Sequence, residues 1–168
     1  MITALLAHPY PRFSVISIPL LEGLKEQFPQ MDIRALYDLY PDSSIDLWEE
    51  RKAVAHSSLI LVVHPVFWYS VPALLKKWFD EVLAYGFAYG NGGLWIPSLG
   101  TGYRDGEFPG EVEISEVEAP IRRMWTFCGA KWLDPEIIDS RQPLTPEQFS
   151  SIIDSLADRI ADWESYHV

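Results

Sequence analysis

Cysteine is nearly absent from this chain: Cys128 is the only one, so an internal disulfide and any cysteine-built metal cluster are excluded. Positive charge is scarce as well. Thirteen Lys and Arg face 24 Asp and Glu, for a net charge of −11 at pH 7. So acidic a surface repels phosphate backbones and anionic lipid heads, which argues against nucleic-acid and membrane-surface binding. No apolar run approaches the length of a membrane helix, and no basic-apolar leader opens the sequence. His8, His56, His64 and His167 are scattered without metal-ligand spacing, so no metal site is expected. G-x-S-x-G, the P-loop and G-x-G-x-x-G are all missing, which removes the usual support for hydrolase, NTPase and Rossmann-motif readings.

What is present is apolar and aromatic. The hydrophobic fraction is 48%, with seven Trp and eight Tyr, and 168 residues suffice for one domain, 1–168, with a substantial core. The reading is a soluble, cytoplasmic domain. Its centre is the stretch Ser58–Gly93. Leu59–Val63 is a short β-branched run, the pattern of a strand buried on both faces. Pro65–Pro72 reads as a loop holding Phe67, Trp68 and Tyr69. Leu74, Leu75, Trp78, Phe79, Val82 and Leu83 then form one helical stripe.

The rest alternates in the same way. Ile2–Ala7 reads as a first strand, followed by a helix starting at Ser14 to Ser17 with Leu20, Leu21, Leu24 and Phe28 on one face. Met31–Leu36 and Asp46–His56 supply a second strand and helix. Leu94-Trp95-Ile96 opens a fourth strand that Pro97 cuts short, and Ser98–Tyr103 reads as a turn. Arg104–Glu113 is a polar surface loop. Ser115 with Glu118 resembles a capping box ahead of Val117, Ile121, Met124, Trp125 and Cys128, and Gly129 stops that helix. Ala130–Ile138 is the last strand, broken by Pro135. Thr145-Pro146-Glu147-Gln148 opens the last helix. The order is that of a doubly wound α/β sheet, whose ligands sit beyond the carboxyl ends of the strands.

Three loops fall on that edge: His8–Ser17, Pro65–Trp68 and Ser98–Tyr103. Helix-start donors, aromatic rings and glycine-bearing backbone suit a flat ring with a phosphate tail, such as a flavin nucleotide. The plainer alternatives remain open: the serines simply cap a helix, and the aromatics cover a core edge.

The motifs A-H-P-Y-P-R-F-S, D-L-Y-P-D, H-P-V-F-W-Y-S-V-P-A-L-L-K-K-W-F-D-E-V, Y-G-F-A-Y-G-N-G-G and F-C-G-A-K-W-L carry a specific likeness. In them the chain resembles the flavodoxin-like fold NAD(P)H:quinone oxidoreductases, and within these the ancillary oxidoreductase subunits of bacterial glutathione-gated potassium efflux systems. The resemblance implies a flavodoxin-like doubly wound sheet of five parallel strands with helices on both faces. It implies FMN or FAD as cofactor, with NADH or NADPH as co-substrate and hydride transfer through the flavin to a quinone. His8, Ser14, Val15, Ile16 and Ser17 would hold the phosphate and ribityl end. Pro65, Val66, Phe67 and Trp68 would line the isoalloxazine. After Gly93 the sequence is shorter than the family pattern, and Ser98, Leu99, Gly100 and Thr101 fall in order where T-T-G-G stands, with Tyr103 just beyond as a proton donor to reduced quinone. A homodimer is implied, with Phe87 and Tyr89 at its interface or in the substrate wall, or else simply packed in the core. A potassium efflux transporter is an implied partner, which would hold the protein peripherally at the inner face of the membrane. Two other readings stay open: a weakly active or non-catalytic regulatory subunit, and a small electron-carrier flavodoxin.

Overall fold

In a computed structural model of the chain, residues 1–90, 98–104, 114–139 and 143–167 are described. Five strands form one parallel sheet: β1 (Ile2–Leu6), β2 (Asp32–Ala35), β3 (Leu59–Val66), β4 (Ser98–Arg104) and β5 (Trp132–Asp139), in the order β2-β1-β3-β4-β5. The helices are α1 (Ser17–Gln27), α2 (Leu36–Leu39), α3 (Leu47–Ala55), α4 (Ala73–Val82), α5 (Ile114–Phe127) and α6 (Pro146–His167).

Alternation along the strands divides the core in two. Leu59, Leu61 and Val63 of β3 join Ile2, Ala4 and Leu6 of β1 under α1 and α6, together with Leu20, Leu24, Leu156, Ile160 and Trp163. Ile60 and Val62 face the other way with Leu5 and Ala7, against Leu36, Leu75, Trp78, Phe79 and Trp125. A strand with both faces covered is predominantly apolar: all eight residues of β3 are buried and seven of them are apolar. Leu74, Leu75, Trp78, Phe79 and Val82 are the buried face of α4, as their spacing predicts.

Four expectations from sequence need correction. Strand β3 runs through Pro65 and Val66, and the loop begins only at Phe67. Proline fits here because β1 has already ended: its last ladder partner is Leu6, opposite Val63, so no donor is lost at 65. Ser98–Tyr103 is not a turn, and the fourth strand is not truncated. These residues form β4, paired on one side to β3 and on the other to β5. Pairing on both flanks overrides the turn propensity of two glycines. The strand expected at Leu94–Ile96 and most of the loop at 104–113 lie outside the described residues. Pro135 does not break β5. The ladder slips there, Leu99 pairing with Leu133 but Thr101 with Glu136, and an edge strand absorbs a proline at such an irregularity. Helix α5 already includes Ile114, which places Ser115 inside it and not at its cap.

The α6 start follows its sequence signature. The Thr145 N–H donates to Gln148 Oε1 at 2.9 Å and the Gln148 N–H to Thr145 Oγ1 at 3.2 Å, a reciprocal capping box. Gly129, at φ +82°, ends α5, with its N–H on the Thr126 carbonyl and the Ala130 N–H on that of Trp125.

Candidate functional site

The chain crosses from one face of the sheet to the other between β1 and β3, which opens a crevice at their carboxyl ends. The loop after β1 lines one side. Ala7 extends the ladder, its N–H donating to the Val63 carbonyl at 2.9 Å. His8 is buried, and its Nδ1 accepts the N–H of Tyr10 at 3.1 Å. Pro11–Phe13 forms one turn of 3-10 helix, closed by the Ser14 N–H on the Pro11 carbonyl. This tight path leaves Tyr10, Phe13 and Val15 exposed at 62, 78 and 72%.

Helix α1 then starts with a polar deficit. Its N-cap is Ile16, whose side chain cannot accept a hydrogen bond. Ser14 compensates in part, its Oγ accepting the Ile18 N–H at 3.1 Å. Ser17, the first helical residue, is completely buried, and its Oγ has no partner among the described residues. Pro19 in the first turn uses up no donor. An unsatisfied buried hydroxyl costs about 1–3 kcal/mol. Set at a helix start, where N–H groups and the helix dipole favour negative charge, it suits a phosphate oxygen.

The other side of the crevice is a tight turn. Phe67 and Ser70 exchange both backbone hydrogen bonds, at 2.9 and 3.0 Å. The two residues between them, Trp68 and Tyr69, have φ of +48° and +60°. Two left-handed residues in succession make a type I′ turn, normally the territory of Asn and Gly. A bulky side chain in that region costs about 1–2 kcal/mol. The strain holds Trp68 outward, 90% exposed, so it is not a core residue. Phe67 and Tyr69 are half-buried.

The third contributor is the end of β4. Tyr103 pairs with Pro65 and Arg104 with Val66, so these two main-chain positions stand at the level of the crevice. Ser98, Leu99, Gly100 and Thr101 pair with Ile60, Leu61, Val62 and Val63 within the sheet. At about 3.3 Å per residue, Ser98 is roughly 16 Å below Tyr103 along the strand. The order-based placement of the T-T-G-G segment on 98–101 is therefore corrected, because the ladder fixes the level and order alone does not.

Phe87 and Tyr89 follow the C-terminal end of α4. Phe87 is half-buried with the Arg51 guanidinium 5.6 Å from its ring centroid. Tyr89 packs edge-on to Tyr85 at 5.8 Å and against Phe127 at 5.3 Å. Sequence reasoning overlooked Tyr10 and Phe13 as exposed rings of the site, although aromatics set among the prolines of P-Y-P-R-F were a signal. It also passed over His64, buried in β3 directly before Pro65. Among the described residues no helix is long and apolar enough to cross a membrane.

A family model described as flavodoxin-like fold matches residues 1–163. The chain is 36% identical over 180 residues to the glutathione-regulated potassium-efflux system ancillary protein KefF of Klebsiella pneumoniae (strain 342), covering 99% of this chain and 98% of that one. Three solved structures share the fold. One is described as a thermophilic tryptophan halogenase from Streptomycin violaceusniger: 29% identity, TM-score 0.79, covering 92% of this chain and 95% of that chain. The general stress protein 14 of Treponema denticola in complex with FMN is 22% identical, with TM-score 0.80 and 98% of each chain covered. An NADPH-quinone reductase from P. pentosaceus is 18% identical, with TM-score 0.75, covering 100% of this chain and 98% of that one. By the family match and by its likeness to the efflux-system ancillary protein over nearly its whole length, the chain belongs to the flavodoxin-like fold family.

Proposed function

We propose that this protein is an FMN-dependent NAD(P)H:quinone oxidoreductase that also serves as the ancillary subunit of a potassium efflux system. Proteins of this fold carry out several chemistries, so the fold alone does not choose among them and the site must. One observation carries it. The Ser17 hydroxyl, buried and unpartnered among the described residues, stands at the start of α1 in the loop region after β1, and a strained turn that displays an indole follows β3. A hydroxyl that can donate to a phosphate and an aromatic platform, on the two loops that flank one crevice, fit the two ends of a flavin nucleotide.

In this reading Ser14 and Ser17, the first-turn N–H groups of α1 and His8 hold the phosphate and ribityl end. The main chain from Pro65 to Trp68 lines the ring, and the Tyr103–Arg104 end of β4 closes the third side. Bound there, the flavin supplies the hydride-accepting and hydride-donating chemistry that couples a nicotinamide to a quinone. The protein contributes orientation, main-chain donors and apolar walls. Tyr10, Phe13, Val15 and Trp68 give an apolar, partly aromatic approach whose exposed charge is the basic Arg12, which favours a flat oxidant such as a quinone on an otherwise acidic protein. The potassium-efflux partner, its peripheral attachment and a homodimer rest on the likeness to the efflux-system ancillary protein.

Titration with FMN tests the cofactor. The expected result is saturable binding that turns the protein yellow, with oxidation of NADH or NADPH that depends on added quinone. Ser17→Ala should weaken FMN binding about tenfold, the worth of one charge-assisted hydrogen bond, without lowering the stability of the FMN-free protein. Ser14→Ala should weaken binding and also cost about 1 kcal/mol of stability, because Ser14 caps Ile18. A colourless protein that refuses added FMN, or a Ser17→Ala variant with unchanged affinity, would sink the assignment.

A further inference from the structure

His64 is a polar interruption in an apolar strand. It continues the Ile60 and Val62 row of β3 and is 4% exposed. Gly102 sits opposite it in β4 and has no side chain to compete for the same space. Burial lowers the imidazole's proton affinity, with the Pro65 carbonyl offsetting only part, so the ring is neutral. A neutral imidazole carries one N–H. His64 Nδ1 lies 2.9 Å from the Pro65 carbonyl oxygen, which can only accept, so the proton is on Nδ1.

The Pro65 carbonyl needs such a partner. In a parallel sheet alternate residues of a strand serve each neighbour. Val63 accepts from Ala7 on the β1 flank, so that flank is next served by Pro65, where β1 has already ended. The carbonyl therefore faces the crevice between the two loops without a strand to bond it. Proline fixes φ at 65, and the His64 bond fixes the peptide that follows. Together they set the plane of the 65–66 peptide, from which the main chain enters the Phe67–Ser70 turn.

We propose that His64 is a positioning residue for the cofactor site: by donating from Nδ1 to the Pro65 carbonyl it sets the 65–66 peptide, and through it the Pro65–Trp68 main chain that meets the isoalloxazine. This rests on the flavin reading above. The rival account is a core histidine that merely satisfies its own strand.

The experiment titrates FMN into wild type, His64→Leu and His64→Asn and records the visible spectrum of the bound flavin. Leu fills the space without a donor, and Asn restores an N–H near the position of Nδ1. Binding by His64→Leu should weaken about tenfold, with an altered flavin band shape, and His64→Asn should recover most of both. Equal affinity and superimposable spectra for wild type and His64→Leu overturn the proposal, as does a loss that Asn fails to rescue. Should His64→Leu not fold, NMR of the imidazole nitrogens in the wild-type holo-protein decides. A neutral ring protonated on Nδ1 is expected, and an Nε2–H tautomer or an imidazolium overturns the proposal. A wild type that takes up no FMN removes the flavin reading and this inference with it, whereas equal FMN binding by all three proteins removes His64 alone.

Discussion

Two polar clusters lie within this fold, and they are built in opposite ways. The first is centred on Glu50, completely buried in α3. Arg34 of β2 donates from Nε to Oε1 at 2.8 Å and places Nη2 2.6 Å from the same oxygen. The Tyr40 hydroxyl donates to Oε1 at 2.5 Å and Trp78 Nε1 to Oε2 at 2.7 Å. Burial and the Glu50 carboxylate together push the Tyr40 phenol up to about 12, so it stays protonated and donating. Every bond is made inside the molecule, and β2, Tyr40 at the end of α2, and α4 are all tied to one carboxylate of α3. The second cluster is the carboxyl edge, with an unanswered Ser17 hydroxyl, two left-handed aromatic residues and four exposed apolar side chains. A self-satisfied buried network specifies packing. Unsatisfied groups and strain held together in one crevice indicate that something else completes it.

Removing the centre of the first cluster should have the largest effect on the protein. Glu50→Ala leaves Trp78 Nε1 and the Tyr40 hydroxyl without acceptors and Arg34 without its closest counter-charge. The expected loss is about 3–5 kcal/mol of unfolding free energy, read from a denaturant melt. Folded Glu50→Ala should bind FMN as wild type does, because the hydrogen bonds of the cluster join β2, Tyr40, α3 and α4 and not the crevice loops. A loss below about 1 kcal/mol would mean that the network is incidental.

The second cluster should respond in the opposite sense. Replacing Trp68-Tyr69 with Asn-Gly gives the type I′ turn the residues it favours and relieves two strained positions. Stability should rise by about 1–3 kcal/mol while quinone turnover falls, since the exposed indole is lost. A double variant that is both less stable and fully active would show that the aromatic pair serves packing. The contrast between the clusters would then have no functional meaning.

How much of this was legible in the sequence depended on how far each signal reaches. Strand β3 and helix α4 carry long periodic patterns that local context cannot disguise. Ser98–Arg104 has two glycines and a neighbouring proline, and only its place between β3 and β5 makes it a strand. That single misreading shifted the expected third loop of the site into the sheet, because order along the chain does not give level along a ladder. A proline at 65 or 135 reads locally as a break, yet each occupies a position where no ladder donor is missed. Ser14 and Ser17 were visible as helix-start residues. That one is bonded and the other is not depends on how the loop after β1 packs, which no local pattern encodes. Nothing in Trp-Tyr signals a type I′ turn, and a glutamate in a short helix gives no hint that it is the buried centre of a network, since most helical glutamates face water.

Glu118 of α5 sharpens the contrast because it is the other buried carboxylate among the described residues, and its charged neighbour is an acid. Burial, followed by repulsion from Asp134, pushes its carboxyl up to about 7, against an ordinary value of 4.5. Since the raised value belongs to the folded state, folding takes up a proton between pH 4.5 and 7. The favourable contribution of the protonated acid is complete below pH 4.5 and is lost as pH rises through 7. Glu118→Gln keeps the shape of the neutral acid and cannot ionise. Its melting temperature should therefore differ from wild type least below pH 4.5 and exceed it by about 2–4 °C at pH 8, a modest shift because Asp134 is exposed and water screens part of the repulsion. Glu50→Gln should destabilise at the same pH, because there the lost charge was answered by Arg34. If both substitutions moved the melting temperature in the same direction at pH 8, the two buried carboxylates would not differ as their surroundings require.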